Sequence, residues 1–271
     1  MELLWIDTDL ALGAPRGDVD DGFALAAALG AVRRDRAALI GISTVAGNVP
    51  ARRAEQCVRR LCAAAGVQTH VVCGAQRKGQ MTGAAAQIAG LTAGARIVAL
   101  GPLTNVARAC GLDSSLPARA RLAVVGGNLS SRGRLPPLWP HEFNLTRDRE
   151  AAREAFAHAW SSVVLYPLNV VRRLRVGRRR WQELSEISPL GRFLADGSQR
   201  WLKRSRWRRP GRGFPVWDLP AVLDAVGALD GIRELVPLPP ALRALTGRAE
   251  MECLVAFDPE AAWRRFLELV G

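Results

Sequence analysis

Short apolar runs closed by Gly, Asp or Asn alternate along this chain with longer stretches whose apolar positions recur every three or four residues. Leu3–Ile6, Ala38–Val45, Val71–Cys73, Ala95–Leu100, Arg121–Val125 and Ser162–Leu165 read as strands, and Gly22–Ala31, Arg52–Ala65, Asn105–Cys110 and Arg149–Ala157 read as helices. Strands and helices taking turns predict an α/β fold, a mainly parallel sheet covered by helices on both faces. In such sheets ligands gather beyond the carboxyl ends of the strands. The suggestive residues fall there: Asp7 and Asp9 after the first strand, Gly47-Asn48 after the second, Gly101-Pro102 after Leu100, and Gly126-Gly127-Asn128 after Val125.

The first strand-to-helix turn carries the strongest chemistry. Asp7-Thr8-Asp9 closes the strand, and Asp18-Val19-Asp20-Asp21 opens the Ala/Leu-rich helix that follows. A helix start favours acids as simple N-terminal residues. So many carboxylates around one turn ask for more, because like charges raise each other's pKa until a proton or a cation relieves them. Hard oxygen donors of this kind suit Ca²⁺ or Mg²⁺ rather than Zn²⁺.

Length and composition fit one globular domain: 271 residues, 49% hydrophobic and 23% charged. Cys57, Cys62, Cys73, Cys110 and Cys253 are odd in number and form no Cys-x-x-Cys pair, which reads as reduced, packed thiols and a cytoplasmic location. Residues 1–30 carry acids where a secretion signal needs a basic start, and no segment is long and apolar enough to span a membrane. No Gly-x-Ser-x-Gly, Gly-x-Gly-x-x-Gly or Walker pattern is present, which removes the serine-hydrolase, dinucleotide and nucleoside-triphosphate readings.

The net charge of +13 is concentrated: residues 172–212 hold thirteen arginines and Lys203 against Glu183, Glu186 and Asp196, a local excess of +11. Trp181, Trp201 and Trp207 are interleaved with these arginines. The segment reads as an insertion or a helical cap with a solvated basic face. Guanidinium and indole surfaces also suit a nucleic acid or another polyanion, so a riboside- or polyanion-binding protein is the competing class.

The order of motifs resembles the calcium-dependent nucleoside hydrolases of the inosine-uridine preferring type. Asp7-Thr8-Asp9 with Asp20-Asp21 is similar to the family's opening motif, Gly41–Val49 to its second-strand motif, and Ala99-Leu100-Gly101-Pro102-Leu103-Thr104-Asn105 to its metal-side turn. Gly126-Gly127 and Glu142-Phe143-Asn144 are similar to its ribose segment, and Leu254–Asp258 with the helix Ala261–Val270 to its end. The resemblance implies a Rossmann-like sheet, hydrolysis of the bond between ribose C1′ and a base nitrogen, and a dimer or tetramer. By the same resemblance Asp9, Asp21 and Asp218, with the backbone carbonyl of Leu100, hold Ca²⁺, and Asp9 takes a proton from the attacking water. Asp20, Asn48, Glu142 and Asn144 meet the ribose, and Asp7 supports the cluster from behind. Carboxylates at these places suit the oxocarbenium-like state of glycosidic cleavage.

Other roles stay open for several of these residues. Asp218 before Leu219-Pro220 is equally placed to cap a helix, Glu142 and Asn144 to complete a loop, and Asn48 to make a turn. Thr104 and Asn105 read as a helix start. The sequence also departs from the family in four places. Its acidic pairs are separated by Leu10–Val19 instead of three residues, a spacer expected to bulge outward. Trp217 stands where many members have a histidine acid, resembling a purine-specific branch that stacks on the base; Trp139 is a second candidate surface and His141 a candidate acid, whereas His70 and His158 read as packed or surface residues. Arg132–His141 lacks the expected ribose-binding Asn, and no His-Asp-Gly loop lies between Gly74 and Gly90. Arg16, Arg132 and Arg134 leave room for a phosphorylated riboside.

Overall fold

The computed structural model describes residues 1–14, 17–130, 142–208 and 213–271. Its first half runs β1 (Glu2–Thr8), α1 (Asp20–Val32), β2 (Ala37–Thr44), α2 (Ala51–Ala65), β3 (Val71–Cys73), α3 (Gly83–Ala89), β4 (Arg96–Ala99), α4 (Thr104–Leu112), α5 (Leu116–Arg119) and β5 (Arg121–Val125). Then come α6 (Asn144–Arg147), α7 (Arg149–Ala157), β6 (Ser162–Tyr166), α8 (Leu168–Val171), β7 (Arg175–Val176), α9 (Arg178–Ile187), α10 (Pro189–Arg208) and β8 (Phe214–Pro215). The chain closes with α11 (Leu219–Ala225), β9 (Gly231–Pro237), α12 (Pro240–Thr246), β10 (Glu250–Phe257) and α13 (Pro259–Val270).

The main sheet has the order β3-β2-β1-β4-β5-β6-β10-β9, parallel throughout except for β9, which runs antiparallel to β10 at one edge. From β1 the order steps outward to β2 and β3 on one side and, from β4, to β5 and β6 on the other. The reversal between β1 and β4 opens a crevice at their carboxyl ends, where Asp9 and Leu100 lie. Successive β1 residues face opposite layers: Leu4 and Ile6 join a core with Phe23, Leu25, Leu29 and Phe266, while Trp5 joins the other with Ile97, Leu103, Val106 and Phe156. Helix α1 is buried nearly all round, which only its alanines and glycines permit; a Cβ on Gly30 would stand 2.1 Å from the Leu269 carbonyl oxygen of α13.

Trp5 is the largest side chain of β1, and the register of β1 on β2 shifts between Leu4 and Trp5, setting Trp5 opposite Gly41. A Cβ at Gly41 would lie 2.3 Å from the indole ring. Gly41→Ala is therefore expected to overpack this layer and destabilise the fold by about 1–3 kcal/mol, read as a lower midpoint in denaturant unfolding. An unchanged midpoint would contradict the tight fit.

The strands at β3 and β5 and the helix α7 carry the bounds the sequence pattern predicts, and the other predicted elements shift at their ends by one or two residues. The basic stretch is a helical hairpin, α9 and α10, whose base is closed by the antiparallel pair β7 and β8. Trp181 and Trp201 are half-buried and both pack against the core, and Trp181 Nε1 donates to the Ala195 carbonyl at 2.8 Å. The expected outward bulge of the Leu10–Val19 spacer is not seen in its described residues, 10–14 and 17–19. Leu10, Ala11, Leu12 and Ala14 are buried, because the loop offers apolar side chains that α2 and α10 cover.

Candidate active site

The carboxyl end of β1 is held by a buried polar chain. Trp5 Nε1 donates to Ser43 Oγ at 2.9 Å, Ser43 Oγ donates to Asp7 Oδ1 at 2.5 Å, and Asn105 Nδ2 donates to the same Asp7 oxygen at 2.8 Å. Burial pushes the Asp7 carboxyl up to about 7, against the lowering effect of those two hydrogen bonds. Asp7 is thereby tied to β2 and to α4 at the end of β1. Asn105, read from sequence as a helix start, is both: it lies in the first turn of α4 and ties Asp7 to the Thr44 carbonyl and the Ala75 amide.

Asp9 emerges past β1 and is received by the turn after β2. The Asn48 backbone N–H donates to Asp9 Oδ2 at 2.7 Å and its side-chain amide to Oδ1 at 3.2 Å. A glycine at position 47 makes this approach possible, since a Cβ there would sit 1.8 Å from Asp9 Oδ2. Asn48 is therefore a partner of Asp9 and more than a turn residue.

Asp20 and Asp21 begin α1 without capping it: the N-cap is Val19 and makes no side-chain cap. Thr8 Oγ1 donates to Asp21 Oδ1, while Asp21 Oδ2 is buried with no hydrogen-bond partner among the described residues. Asp218 comes from the turn before α11. It occupies the N-cap position, yet its carboxylate makes no capping hydrogen bond, which removes the capping alternative. Ligand oxygens of Asp20, Asp21 and Asp218 all lie within 4.8 Å of one another. The grouping differs from the set implied by the resemblance in that Asp20, rather than Asp9, completes the tightest triad. Asp9 stands alongside, its charge felt by Asp218 and Asp20.

Burial raises all of these carboxyls, and their mutual repulsion adds to it: Asp9, Asp20 and Asp218 are pushed well above the ordinary carboxylate range, and Asp18 and Asp21 up to about 7. A divalent cation fits this donor set. A calcium–oxygen distance of about 2.4 Å allows ligand oxygens on opposite sides of one ion to stand about 4.8 Å apart, and the buried Asp21 Oδ2 lacks any other partner.

The predicted ribose residues close the opposite wall. Asn144 Nδ2 donates to the Leu100 carbonyl at 2.7 Å and to the Val125 carbonyl at 3.0 Å, joining the ends of β4 and β5. Glu142 is buried and accepts the backbone N–H groups of Leu145 and Thr146 at the start of α6, while burial raises its carboxyl to about 7. Both side chains thus bond to backbone groups at the ends of β4 and β5 and in the first turn of α6. Trp217, half-buried beside Asp218, packs against the core. His70 and His158 precede β3 and β6, at the amino end of the sheet away from this crevice. Arg16, Arg132, Arg134, Trp139 and His141 lie outside the described residues.

The sequence model of the inosine-uridine preferring nucleoside hydrolases matches residues 4–255, nearly the whole chain. This chain belongs to that family. It is a hydrolase of N-glycosyl bonds acting on nucleosides, and the family's chemistry uses a metal cofactor. Solved nucleoside hydrolases share its fold. A plant nucleoside hydrolase superposes with a TM-score of 0.78 at 18% identity, covering 99% of this chain and 98% of the other. A purine-preferring ribonucleoside hydrolase from Gardnerella vaginalis gives 0.74 at 19% identity over 99% and 98%. An inosine-guanosine nucleoside hydrolase gives 0.75 at 20% over 100% and 99%. No curated protein sequence matches this nucleoside hydrolase.

Proposed function

We propose that this nucleoside hydrolase depends on Ca²⁺ and prefers purine ribonucleosides, releasing ribose and free base. The observation that carries the metal reading is the buried triad of Asp20, Asp21 and Asp218 with its unpartnered oxygen on Asp21. When bound, the cation supplies an acidified water and a fixed point for the ribose hydroxyls. Asp21 and Asp218 hold it, helped by Asp9 and the Leu100 carbonyl, whose second lone pair is left over from the Asn144 bond. Asp9, oriented through both oxygens by Asn48, takes the proton of the attacking water. Asp20, itself one of the triad, also meets the sugar, and Glu142 and Asn144 form the far wall of the ribose cradle. Asp7 keeps β1 in place behind them.

The purine preference rests on Trp217, next in the chain to Asp218: a flat apolar ring there suits stacking on a two-ring base, which favours its protonation and departure. The 172–212 segment is proposed as a helical cap on a single hydrolase domain, the active species as a dimer or tetramer, and the location as cytoplasmic. In support of the last, all five cysteines are free, and no described helix is long and apolar enough to cross a membrane.

The test is release of ribose from a panel of purine and pyrimidine nucleosides, with and without a calcium chelator, for the natural chain and Trp217→Ala. Chelator-sensitive turnover favouring purines is expected, with Trp217→Ala narrowing the purine advantage about tenfold, the worth of a stacking contact of about 1–1.5 kcal/mol. Turnover indifferent to chelator ends the calcium reading, and equal losses for both base classes end the stacking role.

A further inference from the structure

The helical hairpin reaches the acidic cluster through the long spacer. Trp201, in the middle of α10, donates its indole N–H to the Gly17 carbonyl at 2.6 Å, a bond between residues 184 positions apart. Gly17 is packed so closely on the same loop that a Cβ there would stand 2.1 Å from the Ala11 Cβ. One turn earlier in α10, Gly197 lets the helix backbone approach Leu12, with an added Cβ only 2.7 Å from the Leu12 side chain. Leu12 in turn lies against Gly22 in the first turn of α1, at 3.4 Å from its would-be Cβ. The contact path therefore runs from Trp201 and Gly197, through Gly17 and Leu12, to the turn that presents Asp20 and Asp21.

We propose that Trp201 is a positioning residue for the carboxylate cluster: its indole holds the Leu10–Val19 loop at Gly17 and so fixes where α1 begins and where Asp20 and Asp21 point. A ten-residue spacer between two acidic pairs has far more freedom than a tight turn, and ordering it costs conformational entropy that an external tie reduces. The hairpin supplies that tie from the other end of the chain. This inference rests on the reading of Asp20, Asp21 and Asp218 as a cation site.

The experiment uses the full chain with Trp201→Phe, which keeps an aromatic ring, though a smaller one, and removes the N–H. Its control is Trp160→Phe, whose indole makes an equivalent bond to the Ala155 carbonyl at 2.8 Å in the layer on the other face of the sheet. Calcium affinity is measured by calorimetry, and hydrogen exchange of the segment 10–22 is measured in metal-free protein. Trp201→Phe is expected to raise the calcium Kd about three- to tenfold, the loss of one partly buried hydrogen bond, and to speed exchange in that segment, with Trp160→Phe within twofold of the natural chain on both. An unchanged calcium Kd in Trp201→Phe overturns the positioning role whatever the exchange shows. A natural chain that binds no calcium overturns the cation reading itself, and that result is visible before any variant is compared.

Discussion

Asp9→Asn abolishes ribose release while leaving the protein folded: a fall in kcat of about a hundred- to ten-thousandfold is expected, the range lost when a general base is removed. The substitution is nearly isosteric. Asn keeps one acceptor for the Asn48 N–H, so the turn after β2, the close approach at Gly47 and the packing around them survive. What disappears is the oxygen pair that accepts a proton, together with one negative charge beside Asp21. A change of fold would appear in the thermal midpoint, and a change confined to binding would appear in KM. The proposed role predicts neither as the dominant effect. If Asp9→Asn retains more than about a tenth of the natural kcat at saturating purine nucleoside and calcium, the proton acceptor is elsewhere.

Removing the cation has a second signature that needs no substrate. Asp7, Asp21 and Glu142 are each raised to about 7, chiefly by burial, whereas in the unfolded chain they titrate in the ordinary carboxylate range near 4. Between those limits the folded state holds protons that the unfolded state has lost. The contribution of these three groups to stability therefore falls as pH rises from about 4 to about 7, and Asp9, Asp20 and Asp218, raised further still, act in the same direction. Each raised unit on one group corresponds to about 1.4 kcal/mol, so even partial expression of these shifts moves the midpoint by about 5 °C or more. Asp113, lowered to about 2 by Ser115 and Arg119, acts only below this window. In chelator, the thermal midpoint should drop between pH 5 and pH 7.5. Excess calcium should cancel the share of the drop that comes from Asp21 and its neighbouring acids, since the cation stabilises their charged forms and competes with their protons. A midpoint in chelator that is flat or rises over that range would contradict the buried, mutually repelling cluster.

Much of this architecture is written in local pattern. β1, β4 and β5 are continuous apolar runs because each is covered on both faces, and α2 and α7 keep an apolar stripe against the sheet, so periodicity finds them. β9 escapes because its residues Ile232 to Leu235 are exposed and the strand exists through its pairing with β10. α3 escapes because Gly83-Ala84-Ala85-Ala86 offers no contrast between faces, although Thr82 caps it. The same division holds in the site. The acids cluster in sequence at one turn, so Asp9, Asp20 and Asp21 are legible; Asp218 becomes legible only through family order, since Asp before Leu-Pro is elsewhere a helix cap. The tie from Asn105 to Asp7 spans 98 residues and the shared oxygen with Ser43 spans 36, distances at which residue spacing carries no information. The grouping of Asp20 with Asp21 and Asp218 likewise joins positions nearly 200 residues apart.

The triad joins residues 20 and 21, at the start of the second element, to residue 218, which follows eight strands and ten helices among the described residues. A polypeptide emerging from the ribosome exposes the first two carboxylates long before the third exists. Until that moment α1 lacks α11 and α13, and its neighbouring acids have no third oxygen with which to enclose an ion. On the proposed reading, cation capture is thus a late event in the birth of the molecule, one that waits until six of the eight described main-sheet strands have been synthesised.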